Sequence, residues 1–214
     1  MHPEVLSAKQ VKLFPFLKNF NKTFYLVGGT AIALHLGHRR SIDFDLFCAS
    51  TFAKYRIKKK LSTFPFTQVP LAEDVDQLHL MVNLVKMTFF HFPYPILHPV
   101  SVENTISMPS LLTLASMKAF ALGRRAKWKD YVDLYFILKD RYSIGEISRE
   151  GMALFTGQFS EKLFREQLAF HKDIDYSEPI EYLGTPIPEN EIREFLVEKA
   201  IDLFNESPHH LMTP

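Results

Sequence analysis

Asp43 and Asp45 stand one residue apart in Ser41-Ile-Asp-Phe-Asp-Leu-Phe47, a short distance after the glycine pair of Phe24-Tyr-Leu-Val-Gly-Gly-Thr30. In an extended segment side chains alternate between faces, so Ile42, Phe44 and Leu46 can enter a core while both aspartates project from the opposite face. Two carboxylates on one patch repel each other unless a cation sits with them, and hard oxygen donors suit Mg²⁺ or Mn²⁺. Magnesium completes its shell with water and substrate phosphates, so the spacing points to metal-assisted chemistry on a nucleotide. The glycines supply the other half of such a site. The apolar run Phe24 to Val27 reads as a buried strand, and Gly28-Gly29 lets the backbone turn sharply and approach a ligand before the helical run Thr30 to Leu36. Free N–H groups at that helix start favour phosphate, and Thr30 can cap the helix or offer its hydroxyl to the ligand. Taken singly, a glycine turn or an acidic strand face is equally a structural feature. Their order brings both to one edge of a small sheet.

The stretch Leu26-Val-Gly-Gly-Thr-Ala-Ile-Ala-Leu-His-Leu-Gly-His-Arg-Arg-Ser-Ile-Asp-Phe-Asp-Leu-Phe47 resembles the opening motif of the AbiEii/AbiGii-type nucleotidyltransferases. These minimal nucleotidyltransferase-fold proteins include toxins of bacterial toxin–antitoxin systems. A second stretch, Ala115-Ser-Met-Lys-Ala-Phe-Ala-Leu-Gly-Arg-Arg-Ala-Lys-Trp-Lys-Asp-Tyr-Val-Asp-Leu-Tyr-Phe136, is similar to the same family's downstream block. The likeness covers most of residues 20 to 140. It implies that Gly28, Gly29 and Thr30 face the nucleotide, that Asp43 and Asp45 ligate the metal, that Lys118 contacts the nucleotide and that Asp130 supports the catalytic centre. Two departures stand out. Thr113 occupies a position where the family often has an acid, and the expected strand Val85-Lys-Met-Thr-Phe-Phe-His91 lacks the third carboxylate common in such folds.

The elements that must position these residues follow from local patterning. Ala8 to Phe20 predicts a first helix that Pro15 ends or kinks. Thr51 to Leu61 predicts a basic amphipathic helix, and Phe64 to Leu71, with Pro65 and Pro70, an edge strand or loop. Gln77 to Val82 and Val85 to His91 flank Asn83-Leu84 and predict a hairpin. The proline-rich Phe92 to Pro99 is a stiff connector, and from Ser110 onward helical periodicity dominates. Helices are expected at 110–123, 128–140, 145–155, 160–170 and 190–206. The expected fold is α/β (α+β): a small mixed sheet flanked by helices, nucleotidyltransferase-like over residues 1–98, then a helical region over 99–214 that closes a cleft.

With 214 residues, 47% of them hydrophobic, the chain can build a real core, and Phe24, Phe44, Phe89 and Phe136 lie in apolar runs. The single cysteine, Cys48, excludes an internal disulfide and fits a buried small hydrophobe in a reducing compartment. Neither a signal sequence nor an apolar run of spanning length is present, so a cytoplasmic protein without membrane association is expected. Net charge is only +1, yet basic residues concentrate at 38–60 and 118–129 and acidic ones at 173–206. Arg39 and Arg40, just before the aspartate strand, are phosphate candidates, or partners of Asp43 or Asp45. Lys118 beside an apolar stripe either snorkels or enters a cleft, and Asp130 at a helix start can relieve unpaired N–H groups. The histidines lack zinc-site spacing, and Walker-type loops and nucleophile elbows are absent.

The expected activity is metal-dependent transfer of an NMP from an NTP to an acceptor hydroxyl, with release of pyrophosphate. Family likeness makes RNA such as tRNA the first acceptor and a protein hydroxyl the second, with an antitoxin as a further partner. The alternative is a catalytically weakened nucleotide- or RNA-binding member of the same fold.

Overall fold

The computed structural model describes residues 1–202, and the chain divides into two compact units, Met1–Ser110 and a second that begins at Leu111. The first unit opens with α1 (Ala8–Leu13), held at its start by a reciprocal capping box between Ser7 and Gln10. Pro15 then turns the chain into a 3₁₀ segment, Phe14–Asn19, as a proline near a helix start permits.

Five strands form a mixed sheet in the order β1-β2-β5-β4-β3, comprising β1 (Tyr25–Val27), β2 (Asp43–Cys48), β3 (Gln68–Asp74), β4 (Gln77–Val82) and β5 (Val85–His91). Strand β2 pairs antiparallel with β1 and parallel with β5, while β4 pairs antiparallel with both β5 and β3. The predicted hairpin is present. Asn83 and Leu84 both take positive φ (52° and 61°), the geometry of the two-residue turn whose twist matches the strands. Strand β3 begins four residues later than the expected 64–71 segment and forms the exposed edge, irregular at Pro70. After the proline-rich connector comes a small hairpin that periodicity did not reveal, β6 (Val100–Val102) with β7 (Ile106–Met108).

Helix α2 (Gly28–Leu36) follows β1 directly and ends at Gly37, whose left-handed φ of 70° closes the last turn by donating to the Ala33 carbonyl. Helix α3 (Lys54–Leu61) turns Ile57 and Leu61 inward and leaves its lysines largely to solvent. The core of this unit gathers Leu13, Leu17, Leu26, Ile32, Phe44, Leu46 and Phe89, all fully buried. Edge-to-face contacts of Phe20 and Phe24 with Phe89 explain part of the phenylalanine excess.

The second unit is helical: α4 (Leu111–Leu122), α5 (Trp128–Asp140), α6 (Ile144–Leu154), α7 (Glu161–Ala169) and α8 (Glu189–Ile201). Each expected helix is found within a residue or two at its start. The expected extension of the last one to 206, including Leu203, lies outside the described residues. Tyr131, Tyr135 and Phe155 anchor this core, whereas Phe136 is only half-buried. No described helix is long and apolar enough to cross a membrane.

Candidate active site

Strand β2 alternates as its sequence demands: Phe44, Leu46 and Cys48 are buried, and Asp43, Asp45 and Phe47 lie half-buried on the other face. Ile42 does not join the core. It precedes the strand and is 64% exposed, because regular pairing starts only at Asp43. Cys48 is buried and donates to the Ser50 carbonyl at 3.0 Å, and burial pushes its thiol pKa up to about 11, so it serves as a core residue.

The glycine turn meets this strand. Val27 pairs with Asp45, and Gly28 takes φ +73° with its Cα directed at the Asp45 carboxylate, so that a Cβ there would overlap Oδ2. A Cβ on Gly29 would come 2.7 Å from Nη2 of Arg39 and 3.2 Å from the Ser41 hydroxyl. Gly28 is therefore required by both its backbone and its close approach, whereas a side chain on Gly29 would have to displace the Arg39 guanidinium. Thr30 is not the helix cap, a position that falls to Val27. Its hydroxyl instead donates 2.5 Å to the Asp43 carbonyl and lies 3.0 Å from Ser41 Oγ, tying α2 to the start of the aspartate strand. Arg39 is 4% exposed and donates to the Arg40 carbonyl at 3.0 Å. Arg40 reaches back to the Glu4 and Leu6 carbonyls at 3.3 and 3.2 Å and so fastens the N-terminal segment.

Strand pairing adds residues to the aspartate face that sequence reading passed over. Lys86 of β5 lies in register with Asp43, and Thr88 with Asp45. One strand further, His79 of β4 is in register with Thr88. Its Nδ1 lies 3.1 Å from Thr88 Oγ1 and its Nε2 lies 3.1 Å from Gln77 Oε1. Burial lowers the His79 pKa, the Lys86 charge lowers it further and the Asp45 charge opposes, so these groups share one electrostatic neighbourhood. The alternation of polar residues in Gln77-Leu-His-Leu and Val85-Lys-Met-Thr marked them as one-faced, but only pairing shows beside what.

Asp43 and Asp45 are the acidic residues this face offers to a cation. Among the described residues no group of three or more His, Cys, Asp or Glu side chains converges as a metal site. Two hard carboxylates on one face nevertheless fit Mg²⁺ or Mn²⁺, which bind through one or two carboxylates and fill the shell with water and phosphate.

Lys118 and Asp130 lie in the second unit, where they meet each other. The Lys118 ammonium sits 2.7 Å from Asp130 Oδ1 and 2.9 Å from Asp133 Oδ2, with its side chain 4% exposed and both carboxylates fully buried. Arg125 Nε donates to Asp130 Oδ2 at 3.1 Å. Lys118 thus neither snorkels nor stands alone: two helices, α4 and α5, are joined by a buried charge cluster. Thr113, at the position where an acid was expected, donates to Glu150 Oε1 at 2.7 Å, so a carboxylate from α6 stands beside it.

Residues 16–78 match the family described as "Nucleotidyl transferase AbiEii toxin, Type IV TA system", which bears out the likeness over Leu26 to Phe47, while the downstream block at 115–136 lies outside this match. An uncharacterized protein of Aquifex aeolicus (strain VF5) is 32% identical over 120 residues, covering 54% of this chain and 58% of that protein. The chain therefore spans less than two thirds of this relative's length. Among solved structures, MenT4, a nucleotidyltransferase toxin from Mycobacterium tuberculosis H37Rv, superposes with a TM-score of 0.59 at 13% identity, covering 92% of this chain and 84% of that one. JHP933 from Helicobacter pylori gives 0.51 at 16% identity and 91% coverage of both chains. At such identities the shared property is the fold, and the expected mixed α/β nucleotidyltransferase-like architecture is found.

Proposed function

We propose that this chain, carrying the AbiEii nucleotidyl transferase match across its glycine turn and aspartate strand, transfers an NMP from an NTP to an acceptor hydroxyl. The observation that carries the reading is the meeting of Asp45 with the Cβ-less Gly28 turn, on a face where Asp43 and Asp45 lie together. Asp43 and Asp45 are the residues that would hold Mg²⁺ or Mn²⁺. The chemistry such an ion supplies when bound is neutralisation of charge on the phosphates. The Gly28-Gly29 turn admits the phosphates close to backbone, and Thr30 keeps the helix and the aspartate strand in register. Arg39, Arg40 and Lys86 place positive charge around the departing phosphates. The acceptor oxygen bonds to the α-phosphorus, the bond to pyrophosphate breaks, and the acceptor proton passes to solvent.

RNA such as tRNA is the first acceptor class and a protein hydroxyl the second. A type IV antitoxin is the corresponding regulatory partner, and the cytoplasm the compartment that supplies NTP and acceptor. The nucleotide contact by Lys118 and the support of the centre by Asp130 rest on family likeness alone. Both residues are engaged in the second unit's charge cluster.

The test is incubation with each labelled NTP, Mg²⁺ or Mn²⁺, and total RNA or lysate protein. Metal-dependent labelling that is lost in Asp43→Asn and Asp45→Asn is the expected result. The second reading, a nucleotide- or RNA-binding protein without transfer, is favoured by one observation: β5 presents Lys86 and Thr88, and no carboxylate, beside the aspartates. NTP binding with no transfer under either metal would establish it.

A further inference from the structure

The position beside Asp45 on the neighbouring strand carries an oxygen all the same. Thr88 is register partner of Asp45 on one side and of His79 on the other, so its side chain stands between a carboxylate and an imidazole on one sheet face. It is 7% exposed, which fixes its rotamer against these neighbours. The hydrogen-bond chain defines where its proton goes. Gln77 Oε1 can only accept, so His79 Nε2 carries the hydrogen and donates to it. His79 Nδ1 is then a bare lone pair 3.1 Å from Thr88 Oγ1, and the Thr88 hydroxyl donates to it. With its proton held by His79, the hydroxyl retains lone pairs that can serve a cation. A threonine hydroxyl is an accepted ligand of Mg²⁺ in phosphate-binding loops.

We infer that Thr88 Oγ1 is the third oxygen of the cation site, with His79 as the positioning residue that holds the hydroxyl proton away from it. This rests on the metal reading of Asp43 and Asp45. A neutral hydroxyl in place of a third carboxylate leaves the site one negative charge poorer, and Lys86, in register with Asp43, lowers that charge further. Such a site binds the bare ion weakly and gains affinity when nucleotide phosphates arrive with it.

The test is Mn²⁺ binding to the full chain without nucleotide, followed by electron paramagnetic resonance of the free ion, with folding checked by circular dichroism. Thr88→Val is expected to weaken binding about tenfold and Thr88→Ser to retain it. His79→Leu is expected to weaken binding by a similar factor, while His79→Asn, whose Oδ1 replaces the Nδ1 acceptor, restores it. Thr88→Cys carries the decisive readout, because sulfur in the ligand shell shifts preference from Mn²⁺ toward Cd²⁺ by roughly tenfold or more, which a structural role would not do. Unchanged Mn²⁺ affinity in Thr88→Val, or an unshifted Cd²⁺ preference in Thr88→Cys, overturns the inference. If Asp45→Asn binds Mn²⁺ as the parent does, the metal reading itself fails, and the Thr88 role with it.

Discussion

Gly28 and Asp45 are packed so that the absent side chain of one makes room for the carboxylate of the other: at φ +73°, a Cβ on Gly28 would overlap Asp45 Oδ2. Gly28→Ala therefore meets two penalties, the left-handed backbone and the displaced carboxylate. Urea denaturation should show a loss of about 1–2 kcal/mol. Nucleotidyl transfer should fall by roughly 100-fold, since an ångström-scale shift of a catalytic group has that effect. Full transfer in a folded Gly28→Ala chain would rule out Asp45 as a placed ligand.

Lys118 lies between Asp130 and Asp133 in an environment where neither carboxylate reaches solvent. Lys118→Met leaves those two acids facing each other, and removing one member of a buried charge cluster costs about 3–5 kcal/mol. The urea midpoint should drop accordingly. Transfer measured well below that midpoint separates the two roles: lost activity in a folded variant supports nucleotide contact, and retained activity assigns Lys118 to stability alone.

Glu178 bridges Lys127 and Lys129 within the second unit. Burial alone would raise its pKa, but the hydrogen bonds and charges of both lysines outweigh that and hold it at about 2, below the ordinary 4.5. A depressed carboxylate stabilises the fold above its unfolded pKa and loses that contribution as pH falls through the folded one. Stability should decline between about pH 4.5 and pH 2. Because the Glu178 side chain is still 38% exposed, solvent screening reduces the effect to about 1 kcal/mol. Glu178→Gln should flatten this part of the pH–stability curve, and an unchanged slope would show that the bridge contributes nothing.

Tyr25 is 3% exposed and stacks on His98 at 4.6 Å, but its hydroxyl is buried without a hydrogen-bond partner among the described residues. Burial accordingly pushes its pKa above the ordinary value, with the Cys48 charge adding to the effect. Removing an unpaired buried hydroxyl while keeping the ring should be neutral or stabilising by about 1 kcal/mol. A thermal melt of Tyr25→Phe that shifts downward would show that the hydroxyl is satisfied in solution.

What the sequence determined by itself was whatever depends on near neighbours. The period of two in Asp43 to Cys48 put the aspartates on one face, Asn83-Leu84 between two apolar alternations made the hairpin, and helical spacing located all five helices described in the second unit. Gly28-Gly29 was legible as a close-approach turn because only glycine lacks a Cβ. What required the tertiary structure was which distant segments meet. Strand register is set by the packing of whole faces, so nothing local to Val85–His91 says that Thr88 will stand beside Asp45 or Lys86 beside Asp43. The exposure of Ile42 depends on where pairing with β5 begins, not on its hydrophobicity. The ion cluster of Lys118 with Asp130 and Asp133 exists because α4 and α5 bury one another's flanks, and a buried charge is tolerated only where a partner from another element is already waiting.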